Sequence, residues 1–171
     1  RWSTEAQWYQ KIGDLIHCTL CPHECLLAEN DRGFCRTRVV KEGKLYSIAF
    51  GNPCAAHIDP IEKKPLYHFL PNSQILSIAT AGCNLRCLNC QNWQISQSNP
   101  AKTQNLDLMP DALIETCLSR NIPLIAYTYS DPIIFYEYVM ESAKLAHIKK
   151  IRNVLVTAGY ILEEPLRKLC G

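Results

Sequence analysis

No apolar run in the 171-residue sequence approaches the roughly 18 residues a membrane-spanning helix requires, so none is expected. Net charge is also scarce. The 18 Lys and Arg against 16 Asp and Glu leave only +2, which exerts no long-range pull toward nucleic acid or anionic lipid. Neither a membrane nor nucleic acid is therefore expected as a partner. The start, Arg1-Trp2-Ser3-Thr4, lacks a charged-then-apolar leader pattern, and there are no internal repeats or low-complexity stretches. An initiator Met is missing too, and the chain stops at Cys170-Gly171 just after a helical pattern opens, so a fragment of a longer protein is expected. What is present suits a folded domain. Hydrophobic residues make up 47% of the chain, enough for a real core, and the length fits one ordinary domain, with room for a small metal-stapled appendage.

The unusual abundance is cysteine. Ten occur, at 18, 21, 25, 35, 54, 83, 87, 90, 117 and 170, and seven of them fall in two tight groups. That is ligand spacing rather than disulfide spacing. Disulfide frameworks belong mainly to small secreted chains with little core, and this chain has a core. The pattern predicts metal-bound thiolates in a reducing cytoplasm.

Three regions separate by composition. Residues 1–35 are Cys-rich and poor in long apolar runs, with Trp2, Trp8 and Tyr9 expected to pack as a small helix. Residues 36–73 read as a β-rich connector: strands near 38–40 and 45–50 about a Gly-containing turn, then a Pro-punctuated stretch. From 74 to 171 the pattern alternates. Short apolar strands at 74–79, 124–127 and 153–157 are separated by helical periods. One period runs Pro110–Arg120 with Leu113, Ile114, Cys117 and Leu118 on a face. A longer one is capped at Asp131-Pro132, with Ile134, Tyr138, Val139, Leu145 and Ala146 inward, and a third opens near Glu163. Strand–helix alternation predicts an α/β fold with a parallel sheet, chemistry lying on the loops at 80–93, 128–132 and 157–160.

The first of those loops carries Cys83-x3-Cys87-x2-Cys90. Three thiolates this close suit three irons of a cubane 4Fe-4S cluster; with no fourth protein ligand, one iron stays open to substrate or cofactor. Zinc with a fourth ligand and plain buried thiols are the competing readings. Gly82 is expected to let the backbone approach the cluster.

Cys-x3-Cys-x2-Cys after a first strand resembles the signature of radical S-adenosylmethionine (SAM) enzymes. The longer segments Asp59-Pro60-Ile61-Glu62-Lys63-Lys64-Pro65-Leu66-Tyr67-His68-Phe69, Leu76-Ser77-Ile78-Ala79-Thr80 and Cys90-Gln91-Asn92-Trp93-Gln94-Ile95-Ser96 resemble one branch. That branch is the radical enzyme of the AmmeMemoRadiSam system, akin to pyruvate formate-lyase activating enzymes, and the likeness runs from Cys18 to Leu166. The resemblance implies a partial (β/α) barrel and a cluster on Cys83, Cys87 and Cys90. It also implies reductive cleavage of SAM to a 5′-deoxyadenosyl radical that abstracts hydrogen from substrate. The cofactor side would include Gly82, Asn89, Ser130, Asp131 and Thr157. Asp131 stands where the family has Glu, and Asp before Pro is equally a helix N-cap. Ala158 stands where the family tends to have Asn, which puts the third contact in doubt.

The branch further implies a low-potential electron donor of flavodoxin or ferredoxin type, and a protein substrate or partner proteins of the system. The superfamily barrel has six βα units, whereas about three are legible between 74 and 171. The wall that completes the adenine and ribose pocket is thus expected to be missing, and the chain alone is expected to hold a cluster and be inactive.

Cys18, Cys21, Cys25 and Cys35, spaced C-x2-C-x3-C-x9-C, form a second set able to close a tetrahedral site, with zinc and an auxiliary iron–sulfur cluster both open. His23 is a substitute ligand or a surface residue. Cys54 and His57 are a weak thiol–base pair, and Cys117 reads as core. Lys63-Lys64 is a solvated turn or an anion contact; Trp93 and Tyr67 stack on adenine or pack in the core. Two further functions compete: a non-catalytic iron–sulfur electron-transfer protein, and a zinc-stapled nucleic-acid module, which the near-neutral charge disfavours.

Overall fold

The longest apolar runs of the sequence become the strands of a central sheet. The computed structural model describes residues 1–171, which form three small sheets and four helices in a mixed α/β fold. In chain order the elements are β1 (Thr4–Glu5), β2 (Tyr9–Ile12), β3 (Leu15–Cys18), β4 (Leu26–Leu27), β5 (Arg38–Lys41), β6 (Lys44–Ser47), β7 (Ala55–Pro60) and β8 (Gln74–Ala79). There follow α1 (Trp93–Ser96), α2 (Pro110–Ser119), β9 (Leu124–Tyr127), α3 (Tyr136–Ile148), β10 (Arg152–Leu155) and α4 (Glu163–Cys170).

The central sheet runs β10-β9-β8-β7. β8, β9 and β10 are parallel, with Ile75 and Arg152 both opposite Leu124, while β7 lies antiparallel on β8. Every residue of β9 is buried, as is β8 after Gln74, which is why both read as nearly unbroken apolar runs rather than alternating ones. Leu113, Ile114 and Cys117 of α2 and Tyr138, Val139 and Ala146 of α3 pack against Leu76, Ile78, Ile125 and Tyr127 to form the main core. On the other face Ile75, Leu124 and Ala126 meet Ile61, from a single 3-10 turn at Ile61–Lys63.

Two antiparallel sheets, β2-β3-β4 and β1-β6-β5, precede it. β5 and β6 join through Glu42 and Gly43, both at positive φ (52° and 68°), the geometry a two-residue hairpin loop needs to match strand twist. Glu29 fixes that loop by accepting from both of its backbone N–H groups at 2.8 and 3.0 Å. The apolar side of this region, with Ile16, Leu20, Val40 and Leu45, packs on Ile133 and Tyr136 at the start of α3.

Three expectations change. Residues 1–12 are extended, not helical: β1 pairs with β6, β2 pairs with β3, and Trp8 sits edge-on to Tyr136 with centroids 6.1 Å apart. Pairing and packing partners elsewhere in the chain overrode the local pattern. The Pro-punctuated stretch contains β7, whose Pro60 ends an edge strand where a missing N–H costs no ladder bond. Residues 36–73 therefore divide between two sheets. Finally, the helix after Asp131 opens as a 3-10 turn, Pro132–Phe135, before α3 begins. No helix is long and apolar enough to cross a membrane.

Candidate functional site

Parallel strands bring their C-terminal ends together, so the segments leaving β8, β9 and β10 meet. They surround one open cleft of about 600 Å³ whose lining includes Cys83, Cys87, Cys90, Ser130, Asp131 and Thr157.

Cys83 is buried; burial pushes the thiol up, and the backbone N–H groups of Asp131 and Leu85 oppose that rise. Cys87 is exposed, and Cys90 is half-buried with its Sγ 3.3 Å from Ser96 Oγ. As the side chains lie, no three Cys, His, Asp or Glu residues are drawn together closely enough to grip an ion.

Asp131 is the organising carboxylate. It accepts from Ile133 N at 3.1 Å, capping the 3-10 turn, from Thr157 Oγ1 at 3.0 and 3.1 Å, and from Ala158 N at 2.9 Å. One buried side chain thereby locks the segment after β9 to the segment after β10. The backbone N–H at Ala158 makes this bond whatever side chain stands there. Ser130 Oγ donates to Thr80 O at 2.8 Å, tying the β9 exit to the β8 exit.

At 43% identity over 166 residues, the chain resembles the uncharacterized protein MJ0808 of Methanocaldococcus jannaschii; the match covers 96% of this chain and 50% of that protein. A second likeness, 38% over 82 residues, is to the uncharacterized protein MJ0674 of the same organism, covering 47% of this chain and 19% of the relative. The chain thus spans about half or less of the length of these curated relatives. No family model and no solved structure matches it.

Two expected cofactor-side residues lie off the cleft lining. Asn89 is exposed and outside it. Gly82 has a structural reason of its own. Its φ is +103°, and a Cβ there would overlap the Cys35 carbonyl oxygen and stand 3.0 Å from the Thr37 methyl, so it permits close approach of the N-terminal region.

Other residues of the cleft come from the longer motif segments and the 128–132 loop but are not among those expected on the cofactor side. Lys64, Tyr129 and Asn92 line it. Tyr129 is held at φ +64°, its OH donating to Asp59 at 2.7 Å, while Asn92 Nδ2 donates to the Tyr129 carbonyl at 3.0 Å. Asp59 also accepts from Lys63 at 2.8 Å and Lys64 at 3.0 Å. Burial would raise its carboxyl, but the Lys63, Tyr129 and Lys64 bonds outweigh that and hold it below the ordinary carboxylate range. Burial and the bond to Asp59 push the Tyr129 phenol up to about 12. Lys64 is therefore a buried ion-pair partner rather than part of a solvated turn. The Asp59–Lys63 spacing of four residues was the one available signal; the burial of Lys64 needed the 3-10 turn.

The N-terminal set lies apart. Cys18, Cys21, Cys25 and Cys35 line one small enclosed cavity. His23 also lines it, its Nε2 2.7 Å from the Asn84 carbonyl and its ring 3.9 Å from that of Phe34. Cys117 is core, and burial pushes its thiol up to about 11. Cys54 is half-buried and likewise raised to about 11, while His57 is exposed. Trp93 and Tyr67 are exposed at 60% and 62%, so neither packs in the core.

Proposed function

We propose that this chain is the cluster-holding part of a radical SAM enzyme of the AmmeMemoRadiSam type, akin to pyruvate formate-lyase activating enzymes, built as three βα units of a partial (β/α) barrel. The observation that carries the reading is that Cys83, Cys87 and Cys90 open into one cleft with Ser130, Asp131 and Thr157 at the C-terminal ends of parallel strands. The donor set fits: three soft thiols, one of them buried, in a cleft roomy enough for a cluster and a small-molecule cofactor. When bound, such a cluster supplies the electron that cleaves SAM to a 5′-deoxyadenosyl radical able to take hydrogen from substrate.

The chain's own residues hold the loops in place. Asp131 meets Ile133, Thr157 and Ala158 through four contacts, two on each oxygen, so it would draw an ammonium group in the cleft by its charge, with the shared Thr157 hydroxyl free to give up one oxygen. Thr157 and Ser130 act as positioning residues, their hydroxyls committed to Asp131 and Thr80. The electron comes from a flavodoxin- or ferredoxin-type donor, substrate is a protein or a partner-presented group, and the setting is cytoplasmic.

Electron paramagnetic resonance on anaerobically reconstituted, dithionite-reduced protein, with and without SAM, tests this. A cubane signal that shifts on adding SAM, lost in the Cys83→Ala/Cys87→Ala/Cys90→Ala variant, is expected. Asp131→Asn, which keeps an acceptor at the turn but removes the charge, should abolish the shift while leaving the cluster signal. A signal indifferent to SAM points to simple electron transfer, and no iron signal ends the radical reading.

A further inference from the structure

We propose that Cys18, Cys21, Cys25 and Cys35 bind a single zinc ion in a closed four-thiolate centre, and that Arg38 is the buried cation that stabilises it. This goes beyond the radical reading and does not depend on it.

Three observations carry the inference. The four thiols line one enclosed cavity of about 20 Å³, the space of roughly one water-sized sphere; no three of them yet stand close enough to grip an ion, so binding requires their side chains to turn inward onto it. That is the space of one ion, and a cubane, with four irons and four sulfides, would require the cavity to widen. Spacing left zinc and an auxiliary cluster open, and the small volume favours the mononuclear centre, the usual closed form of a four-Cys zinc site.

The second is Arg38. It lines the same cavity at 1% exposure. Nη2 donates to both Glu137 oxygens, at 2.7 and 3.0 Å, but Nε and Nη1 are buried without any partner. Buried guanidinium N–H groups are rarely left unmet. Binding zinc as four thiolates releases four protons to solvent and leaves the centre with a net charge of two minus, the acceptor these N–H groups lack.

The third is what the centre supports. A Cβ on Gly82 would overlap the Cys35 carbonyl, His23 meets the Asn84 carbonyl at 2.7 Å, and Arg86 donates to the Phe34 carbonyl at 2.8 Å. The segment holding the last ligand is thus packed against the base of the loop that carries Cys83. Zinc would act as a staple under that loop, in a region too small to hold itself by apolar packing alone.

The test uses the full chain carrying Cys83→Ser, Cys87→Ser and Cys90→Ser, so that only the N-terminal set remains. Elemental analysis should give one zinc per chain, and cobalt(II) substitution should give the absorption of a tetrahedral four-thiolate site. Cys21→Ser should lose both. Because Arg38→Met alone strands the Glu137 carboxylate, the Arg38→Met/Glu137→Met double variant is compared, its fold checked by circular dichroism. It should bind zinc about 10–100-fold more weakly in chelator competition. Iron with matching inorganic sulfide, octahedral cobalt bands or no stoichiometric metal would overturn the zinc centre. Unchanged zinc affinity in the double variant would overturn the role of Arg38.

Discussion

The two cysteine groups sit on opposite designs of the same raw material. The N-terminal four line a closed cavity of about 20 Å³ beside a buried guanidinium, with local support from short antiparallel sheets. The three at 83–90 open onto about 600 Å³ at the ends of parallel strands, with one thiol exposed. Closed sites spend every coordination position on protein and serve stability, whereas open ones keep a position for chemistry. The regions are not independent, however: Gly82 and Asn84 of the open site's loop press on Cys35 and His23 of the closed one.

The largest effect expected concerns the buried charge that sets the closed region apart. Glu137→Leu leaves Arg38 uncompensated and should lower stability by about 3–5 kcal/mol in urea denaturation, with Arg38→Met/Glu137→Leu recovering most of the loss. An equal loss in both variants would mean the region depends on packing at α3, and the contrast of buried charge against open cleft would collapse. Next comes the junction. Gly82→Ala combines an unfavourable φ with overlap of the Cys35 carbonyl and should cost about 2–5 kcal/mol. Gly159→Ala on the cleft side, at φ +69° with no atom within 4 Å of a Cβ, should cost only about 1–2 kcal/mol by thermal melting. Similar costs at the two glycines would break the idea that one region is pressed against the other.

The smallest effect is the pH dependence of the cleft wall. Asp59 titrates below its unfolded value of about 4, so below that pH the unfolded chain binds more protons than the folded one. The stability supplied by the bonds from Lys63, Tyr129 and Lys64 should be complete above about pH 4 and fall as pH drops through the folded value. Asp59→Asn should be less stable at neutral pH and show a flatter acid limb; a parallel loss with pH in both proteins would remove Asp59 as its source.

Much of the central region was legible because its signals are local. Pro110 and Asp131 mark helix starts by geometry that needs no partner, and continuous apolar runs at 75–79 and 124–127 follow from burial on both faces. The first twelve residues were misread because β1 and β2 are made by strands they pair with, not by their own pattern. Likewise β7 was hidden by Pro60, which an edge strand tolerates at its end. Lys64 read as a solvated turn or an anion contact, and nothing local paired it or Tyr129 with Asp59, since each depends on a turn bringing it onto that carboxylate.

From the sequence alone came the two thiol sets and the alternation of strands and helices from β8 onward, because residue spacing and hydrophobic period are properties of neighbouring residues. Only the tertiary structure decided that one set is enclosed and the other open, that Arg38 meets Glu137 across 99 residues, and that Asp131 ties two loops into one wall. Enclosure, charge pairing and loop convergence are set by which distant surfaces exclude water together, and no local pattern carries that information.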